Sequence, residues 1–291
     1  MKLTETIGNT PLIEMENSNS KKGVKIYAKL EGHNPAGSVK DRPAYNMIAA
    51  ALDRGDIKKG DTVIEATSGN TGIALAMCAQ LMGVKMVLVM PDSATEERKK
   101  SMRAYGAELI ETPGEKTIEF SRTHAMELAE KHGYYLLNQF DNDDNWKAHY
   151  KTTGPEIWKD TDGKITHFVS AMGTTGTITG VSTFLKEKNQ NITIIGAQPA
   201  EGAKIAGIRR WSPELLPAIF NPEKVDEKRN IGQDAAYQGA RDLAQKEGIM
   251  AGVSAGGAYA LACGLAEEIE EGVIVFIACD RGDRYLSTDL F

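Results

Sequence analysis

Four glycine-bearing turns carry the residue types in this chain that could do chemistry. In Gly32-His33-Asn34-Pro35-Ala36-Gly37-Ser38-Val39-Lys40-Asp41-Arg42 a lysine stands at a helix start. Ser38 with Asp41 three residues on resembles a capping box, which puts Lys40 in the first helical turn. Pro43 is tolerated only near a helix start, so the helix can begin at Asp41 instead. Either way the positive helix end, with any burial, is expected to depress the lysine's pKa, and a neutral amine is what imine chemistry needs. A plain surface lysine on a helix start fits the same residues. The second turn, Thr67-Ser68-Gly69-Asn70-Thr71-Gly72, gathers hydroxyls, an amide and free N–H groups at a helix N-terminus, a set suited to a carboxylate. Simple capping by Ser68 or Asn70 is the competing reading. The third turn, Gly173-Thr174-Thr175-Gly176-Thr177, lacks both the Gly-Lys-Ser/Thr of a Walker loop and a G-x-G-x-x-G pattern. It suits a single phosphate better than a nucleotide. The fourth, Gly252-Val253-Ser254-Ala255-Gly256-Gly257, matches the G-x-S-x-G of serine hydrolases. Those enzymes need a histidine after the serine, and all five histidines here precede Ser254.

Each turn belongs at a strand–helix junction or a helix start. Val24–Leu30, Thr62–Ala66, Lys85–Met90, Glu108–Glu111, Ile165–Met172, Ile192–Gln198 and Val273–Cys279 read as strands. Thr71–Met82, Thr95–Tyr105, Lys116–Lys131 and Gly176–Lys188 read as helices between them. This alternation implies βαβ units and an α/β fold with mainly parallel sheet. The expected division is a smaller domain at 38–142 and a larger one from 1–37 plus 143–291. Gly202–Asn230, rich in Pro, Lys and Arg, reads as a long excursion, and such loops are often functional.

Composition narrows the partners. The 291 residues carry 34 Lys+Arg against 40 Asp+Glu, a net charge of −6, which disfavours nucleic acid and anionic membrane surfaces. The N-terminus lacks the apolar stretch of a secretory signal, and the longest apolar run, Val273–Cys279, is too short to span a bilayer. Cys78, Cys263 and Cys279 form no C-x-x-C pair, which fits reduced thiols in a cytoplasm. There is no H-E-x-x-H, so no metal site is expected.

An imine-forming lysine, a monophosphate cradle, a carboxylate cradle and a hydroxyl at a helix start together describe pyridoxal phosphate bound to an amino-acid substrate. With these turns, with Ile7-Gly8-Asn9-Thr10-Pro11-Leu12, and with Asp280-Arg281-Gly282-Asp283-Arg284-Tyr285-Leu286-Ser287-Thr288, nearly the whole chain resembles the O-acetylserine sulfhydrylases. These are tryptophan-synthase-β-like pyridoxal phosphate enzymes, with a twisted, mainly parallel sheet flanked by helices in each of two domains. The resemblance implies that Lys40 holds the cofactor and then shuttles the Cα proton. Asn70 would hydrogen-bond the cofactor's phenolic oxygen, and Gly173, Thr174, Thr175, Gly176 and Thr177 would bind its phosphate. Ser254 would face the pyridine nitrogen, where a hydroxyl leaves the ring a weaker electron sink than a carboxylate would. Thr67, Ser68, Thr71 and Gln139 would hold the substrate carboxylate, and the smaller domain would close on it.

The implied reaction replaces the acetate of O-acetylserine with sulfide to give cysteine. Gly207–Trp211 and Cys279–Arg284 lean toward the B-type branch. There Arg209, Arg210 and Cys279 would line an entrance able to take thiosulfate, giving S-sulfocysteine. The alternative is that the arginines only solvate the long excursion. Ala255 stands where many relatives have a second serine. Serine or threonine dehydratases and cystathionine β-synthase are sibling readings, and a homodimer is what relatives suggest.

Overall fold

The computed structural model describes residues 1–18 and 21–291. In chain order the elements begin with β1 (Leu12–Glu14), β2 (Val24–Leu30), α1 (Asp41–Arg54), β3 (Thr62–Ala66), α2 (Asn70–Met82) and β4 (Lys85–Pro91). Next come α3 (Glu96–Ala104), β5 (Glu108–Thr112), α4 (Ile118–His132), β6 (Tyr135–Leu136), α5 (Asp143–Lys151) and α6 (Thr153–Asp160). The remainder is β7 (His167–Ala171), α7 (Gly176–Lys188), β8 (Thr193–Pro199), β9 (Glu227–Ile231), α8 (Gln233–Glu247), α9 (Val253–Glu268) and β10 (Gly272–Ala278).

The smaller unit comprises Met1–Ile7 and Lys40–Asn145. Its sheet has the order β5-β4-β3-β6, and every pair is parallel. Ile64, Ala66, Val87 and Val89 turn one face of that sheet onto Ala125, Leu128 and Ala129 of α4. Full burial of each valine or isoleucine there contributes about 1.5–3 kcal/mol, and each alanine methyl less. Helix α2 is buried without a break from Thr71 to Ala79. A helix with no polar face must be covered all round, and α1, α3 and β4 cover it. Cys78 lies in this run, fully buried, and burial pushes its thiol pKa up, as befits a core residue.

The larger unit comprises Gly8–Val39 and Trp146–Phe291. Its sheet order is β1-β2-β10-β7-β8-β9, antiparallel only at β1–β2. The central strand β10 is covered on both sides, which explains its unbroken apolar run. Ile274 and Phe276 pack with Leu243 of α8 and Ala255, Ala258 and Ala262 of α9. Val275 and Ile277 face Ile157 of α6 and Ile178, Val181 and Leu185 of α7. Helices α8 and α9 touch backbone to backbone: a Cβ on Gly256 would collide with Ala236 O, and one on Gly239 with Gly256 O.

The structure departs from the expected elements in several places. β1, β6 and β9 had no counterpart in the strand reading, and Gly202–Asn230 runs into β9 rather than staying irregular throughout. Residues 1–7 go with the smaller unit, whereas the expected division gave them to the larger. Gly8, the first residue of the larger unit, donates its N–H to Asn34 Oδ1 at 2.8 Å. Among the described residues no helix is long and apolar enough to cross a membrane, and no cluster of His, Cys, Asp and Glu could hold a metal ion.

Candidate active site

In the smaller unit, α1 begins at Asp41, and half-buried Lys40 is its N-cap. The capping box is therefore not formed as Ser38–Asp41. Pro43 has no N–H and a fixed φ, which confines it to the first turn, and Ser38 instead forms a β-bridge with Asp280 in the larger unit's own segment. The Thr67–Gly72 turn sits between β3 and α2. Gly69 takes the N-cap of α2 and has no side chain with which to cap it, so neither Ser68 nor Asn70 is used as the cap. The turn is backed by Met102 of α3: a Cβ on Gly72 would meet Met102 Cε at 2.7 Å. Thr67 and Thr71 are buried, while Ser68 and Asn70 are partly exposed.

Gln139 lies in the turn after β6 and is brought to this place by three bonds. The Thr71 hydroxyl donates to Gln139 Oε1 at 3.0 Å, Asn145 donates its amide to Gln139 O at 2.7 Å, and Gln139 N–H donates to Glu65 Oε2 at 3.1 Å. Glu65, near the end of β3, was missed by the sequence reading. A charged residue inside a parallel strand that should be apolar was the available signal. Burial raises its pKa to about 7, against hydrogen bonds from Gln139 and Ala66 and the charge of Arg122.

In the larger unit, Gly173–Thr177 connects β7 to α7, whose N-terminal N–H groups are unpaired within the helix. Thr175, the N-cap, is left-handed with φ 70°, a strained conformation for a β-branched residue. The segment around Gly207 crosses over this loop. A Cβ on Gly173 would stand 2.8 Å from Gly207 O, and Gly207, at φ 83°, lies 3.5 Å from the Ser254 side chain measured from where its own Cβ would be. Arg209 N–H donates to Met172 O at 2.8 Å, and the Trp211 indole donates to Gly173 O at 2.8 Å. The loop, Gly207 and Ser254 are thereby drawn together.

Ser254 is 5% exposed in the first turn of α9. Buried His149, which the sequence reading passed over, pairs its ring with Thr153 at 2.9 Å and with Thr177 at 3.3 Å. No sequence spacing announces that contact, because α5 and α7 meet only in the fold. Arg209 stacks on the Trp211 ring, 5.3 Å from its centroid. Arg210 is exposed and turned elsewhere, donating to Pro199 O at 3.2 Å and Asn230 Oδ1 at 3.1 Å. Cys279 follows β10, and its carbonyl accepts Val39 N–H at 2.8 Å, one residue before Lys40.

The loop leading to Lys40 is held by a buried polar network of the larger unit. Fully buried Lys29 donates to Thr10 O at 2.7 Å and pairs with Glu156 at 2.9 Å and Asp160 at 3.1 Å. Glu31, also buried, accepts from Thr10 at 2.7 Å and from Asn34 at 2.9 Å. Asn34 O in turn accepts Gly37 N–H at 2.8 Å. Gly37 is left-handed at φ 83°, and a Cβ there would meet the Arg284 guanidinium, so a side chain at this position would be strained.

Residues 3–280 match the family model for pyridoxal-phosphate dependent enzymes. Cysteine synthase B of Escherichia coli strain K12 is 56% identical over 289 residues, covering 99% of this chain and 95% of the relative. The crystal structure of O-acetylserine sulfhydrylase isoform 3 from Entamoeba histolytica superposes with a TM-score of 0.94 at 38% identity, covering 100% of this chain and 91% of that one. An O-ureido-L-serine synthase structure also superposes at 0.94, with 38% identity over 99% and 94% of the two chains. The chain belongs to the pyridoxal-phosphate dependent enzymes.

Proposed function

We propose that this protein is a cysteine synthase, which makes L-cysteine from O-acetyl-L-serine and sulfide with pyridoxal phosphate as cofactor. What carries the reading is the identity of 56% to cysteine synthase B over 99% of the chain, which spans both units. The residues suit the cofactor. The N-terminus of α7 behind left-handed Thr175 suits an anion, and the backbone of Gly207 lies so close to the loop that a Cβ on Gly173 would collide with Gly207 O. When bound, the cofactor supplies the electron sink that lets the Cα–H bond and the bond to acetate break.

Lys40 would carry the cofactor and take the Cα proton. Thr67, Ser68, Thr71 and Gln139 would orient the substrate by its carboxylate, with Thr71 and Gln139 already aligned by their own hydrogen bond. Gly173–Thr177 would hold the phosphate, braced from behind by His149 on Thr177. Asn70 would meet the phenolic oxygen. Ser254 would offer its hydroxyl to the pyridine nitrogen, and its burial keeps water from that contact. In that role Ser254 is a ligand rather than a nucleophile, and Gly256 of the G-x-S-x-G pattern is explained by the close approach of α8.

For the sulfur donor, Arg209 and Cys279 remain candidates for an anionic entrance, while the hydrogen bonds of Arg210 to Pro199 and Asn230 favour a bracing role for that residue. The test is direct. Purified protein with O-acetylserine should form cysteine from sulfide and S-sulfocysteine from thiosulfate, and Lys40→Ala should abolish both products and the visible cofactor band. No cysteine from a cofactor-loaded preparation, with turnover of threonine or of serine plus homocysteine instead, would overturn the reading. Loss of the thiosulfate product alone would overturn only the donor assignment.

A further inference from the structure

Glu65 is 3% exposed, and none of the proposed substrate or cofactor contacts uses it. One carboxylate oxygen accepts Ala66 N–H and the other accepts Gln139 N–H, each at 3.1 Å. An apolar side chain would serve a buried parallel strand better, because a buried carboxylate must be compensated by hydrogen bonds. The bond that reaches beyond β3 is the one to Gln139, whose side chain meets Thr71 at 3.0 Å. We propose that Glu65 is a positioning residue for the amino-acid substrate, holding the Gln139 main chain so that the Gln139 side chain stays aligned with the Thr71 hydroxyl. The proposal rests on the assignment of Thr71 and Gln139 to the substrate carboxylate.

Its signature lies in the protonation state. The ionised carboxylate accepts both N–H groups with the help of its charge; protonation leaves the hydroxyl oxygen a weak acceptor and removes that charge assistance. With its pKa raised to about 7, Glu65 passes between these states near neutrality. Arg122 of α4 is the charged group acting on it. Helix α2 carries no charged residue, and Lys85 of β4 sits opposite Thr62 at the far end of the strand. β6 contributes Tyr135, whose hydroxyl donates to Asp56.

The experiment measures, on the cofactor-loaded enzyme, the calorimetric dissociation constant of L-alanine, an amino acid with no β leaving group, together with kcat and KM for O-acetylserine. Wild type, Glu65→Gln and Gln139→Ala are compared from about pH 6 to about pH 8.5. Gln139→Ala must weaken alanine binding; if it does not, the carboxylate assignment itself fails. Where it does, Glu65→Gln should bind alanine ~10-fold more weakly than wild type at the alkaline end, from the loss of one charge-assisted hydrogen bond. At the acid end, where wild-type Glu65 is itself protonated, the two should agree within about twofold, and kcat at saturation should differ little throughout.

A ratio that is constant with pH, or that is one at the alkaline end, overturns the proposal. Should Glu65→Gln fail to fold, the ratio of Gln139→Ala to wild type reads the same effect. It should shrink toward acid pH, and a constant ratio there is equally fatal.

Discussion

Glu65→Gln should also change how the stability of the protein depends on pH, and the structure dictates the sign. Burial raises the Glu65 pKa from the ordinary carboxyl value of 4.5 to about 7. Between those values the native state holds a proton that the unfolded chain has released. Stability therefore falls as pH rises through that window, and the loss is complete above about pH 7. At about 1.36 kcal/mol per pH unit the rise amounts to about 3 kcal/mol. Glutamine has the same shape and no charge, so its variant escapes this loss.

The assay is urea unfolding of the cofactor-loaded protein at several pH values between about 5 and 8, followed by far-ultraviolet circular dichroism. Tryptophan fluorescence is the wrong probe, since Trp146, Trp158 and Trp211 all belong to the larger unit, whereas Glu65 is in the smaller. Any difference between glutamine and the protonated acid adds an offset that does not vary with pH, and the hydrogen bonds to the ionised form are already counted in the raised pKa. The difference between variant and wild type should move in the variant's favour by about 2–3 kcal/mol from the acid to the alkaline end. A flat difference, or one moving the other way, refutes the argument that burial governs this carboxylate.

Two further outcomes can be measured by thermal unfolding. Lys29→Ala removes the buried cation facing Glu156 and Asp160 and should cost about 3–5 kcal/mol, whereas Lys29→Met keeps the volume and should cost less. Equal losses would mean that the ion pairs, and not packing, are what Lys29 provides. Gly256→Ala forces a methyl against Ala236 O and should cost about 1–3 kcal/mol by prising α8 from α9. An unchanged melting temperature would show that this contact can yield freely.

What could be read without coordinates follows a physical pattern. β2 and β3 were legible to the residue, because Val24, Ile26 and Ala28 are buried in alternation along β2 and Val63 and Ile64 are buried side by side in β3. β1, β6 and β9 lie at the outer positions of the two sheets. An edge strand is held by backbone bonds on one side and needs little apolar surface, so Glu-Lys-Arg-Asn-Ile reads as loop. The four glycine turns were legible because their chemistry is local to a few consecutive residues. His149 on Thr177, Glu65 on Gln139 and the Trp211 indole on Gly173 were not, for the partners are far apart in sequence and no local rule links them. The capping-box pattern at Ser38 misled for the converse reason. A local motif was outweighed by Pro43 and by the bridge from Ser38 to Asp280.

The two experiments on Glu65 constrain each other. If the carboxylate is there only because β3 tolerates it, Glu65→Gln gains stability above neutrality and loses nothing, and a chain under selection for stability has no reason to keep the charge. If it holds Gln139 for the substrate, the same substitution must make the protein more stable and the site weaker, both changes growing as pH rises through about 7. Gain and loss then share one titration, since both arise from the same proton on the same oxygen. A stability curve and an affinity ratio that break at different pH values would separate the two effects. The desolvation argument could then survive while the positioning role did not.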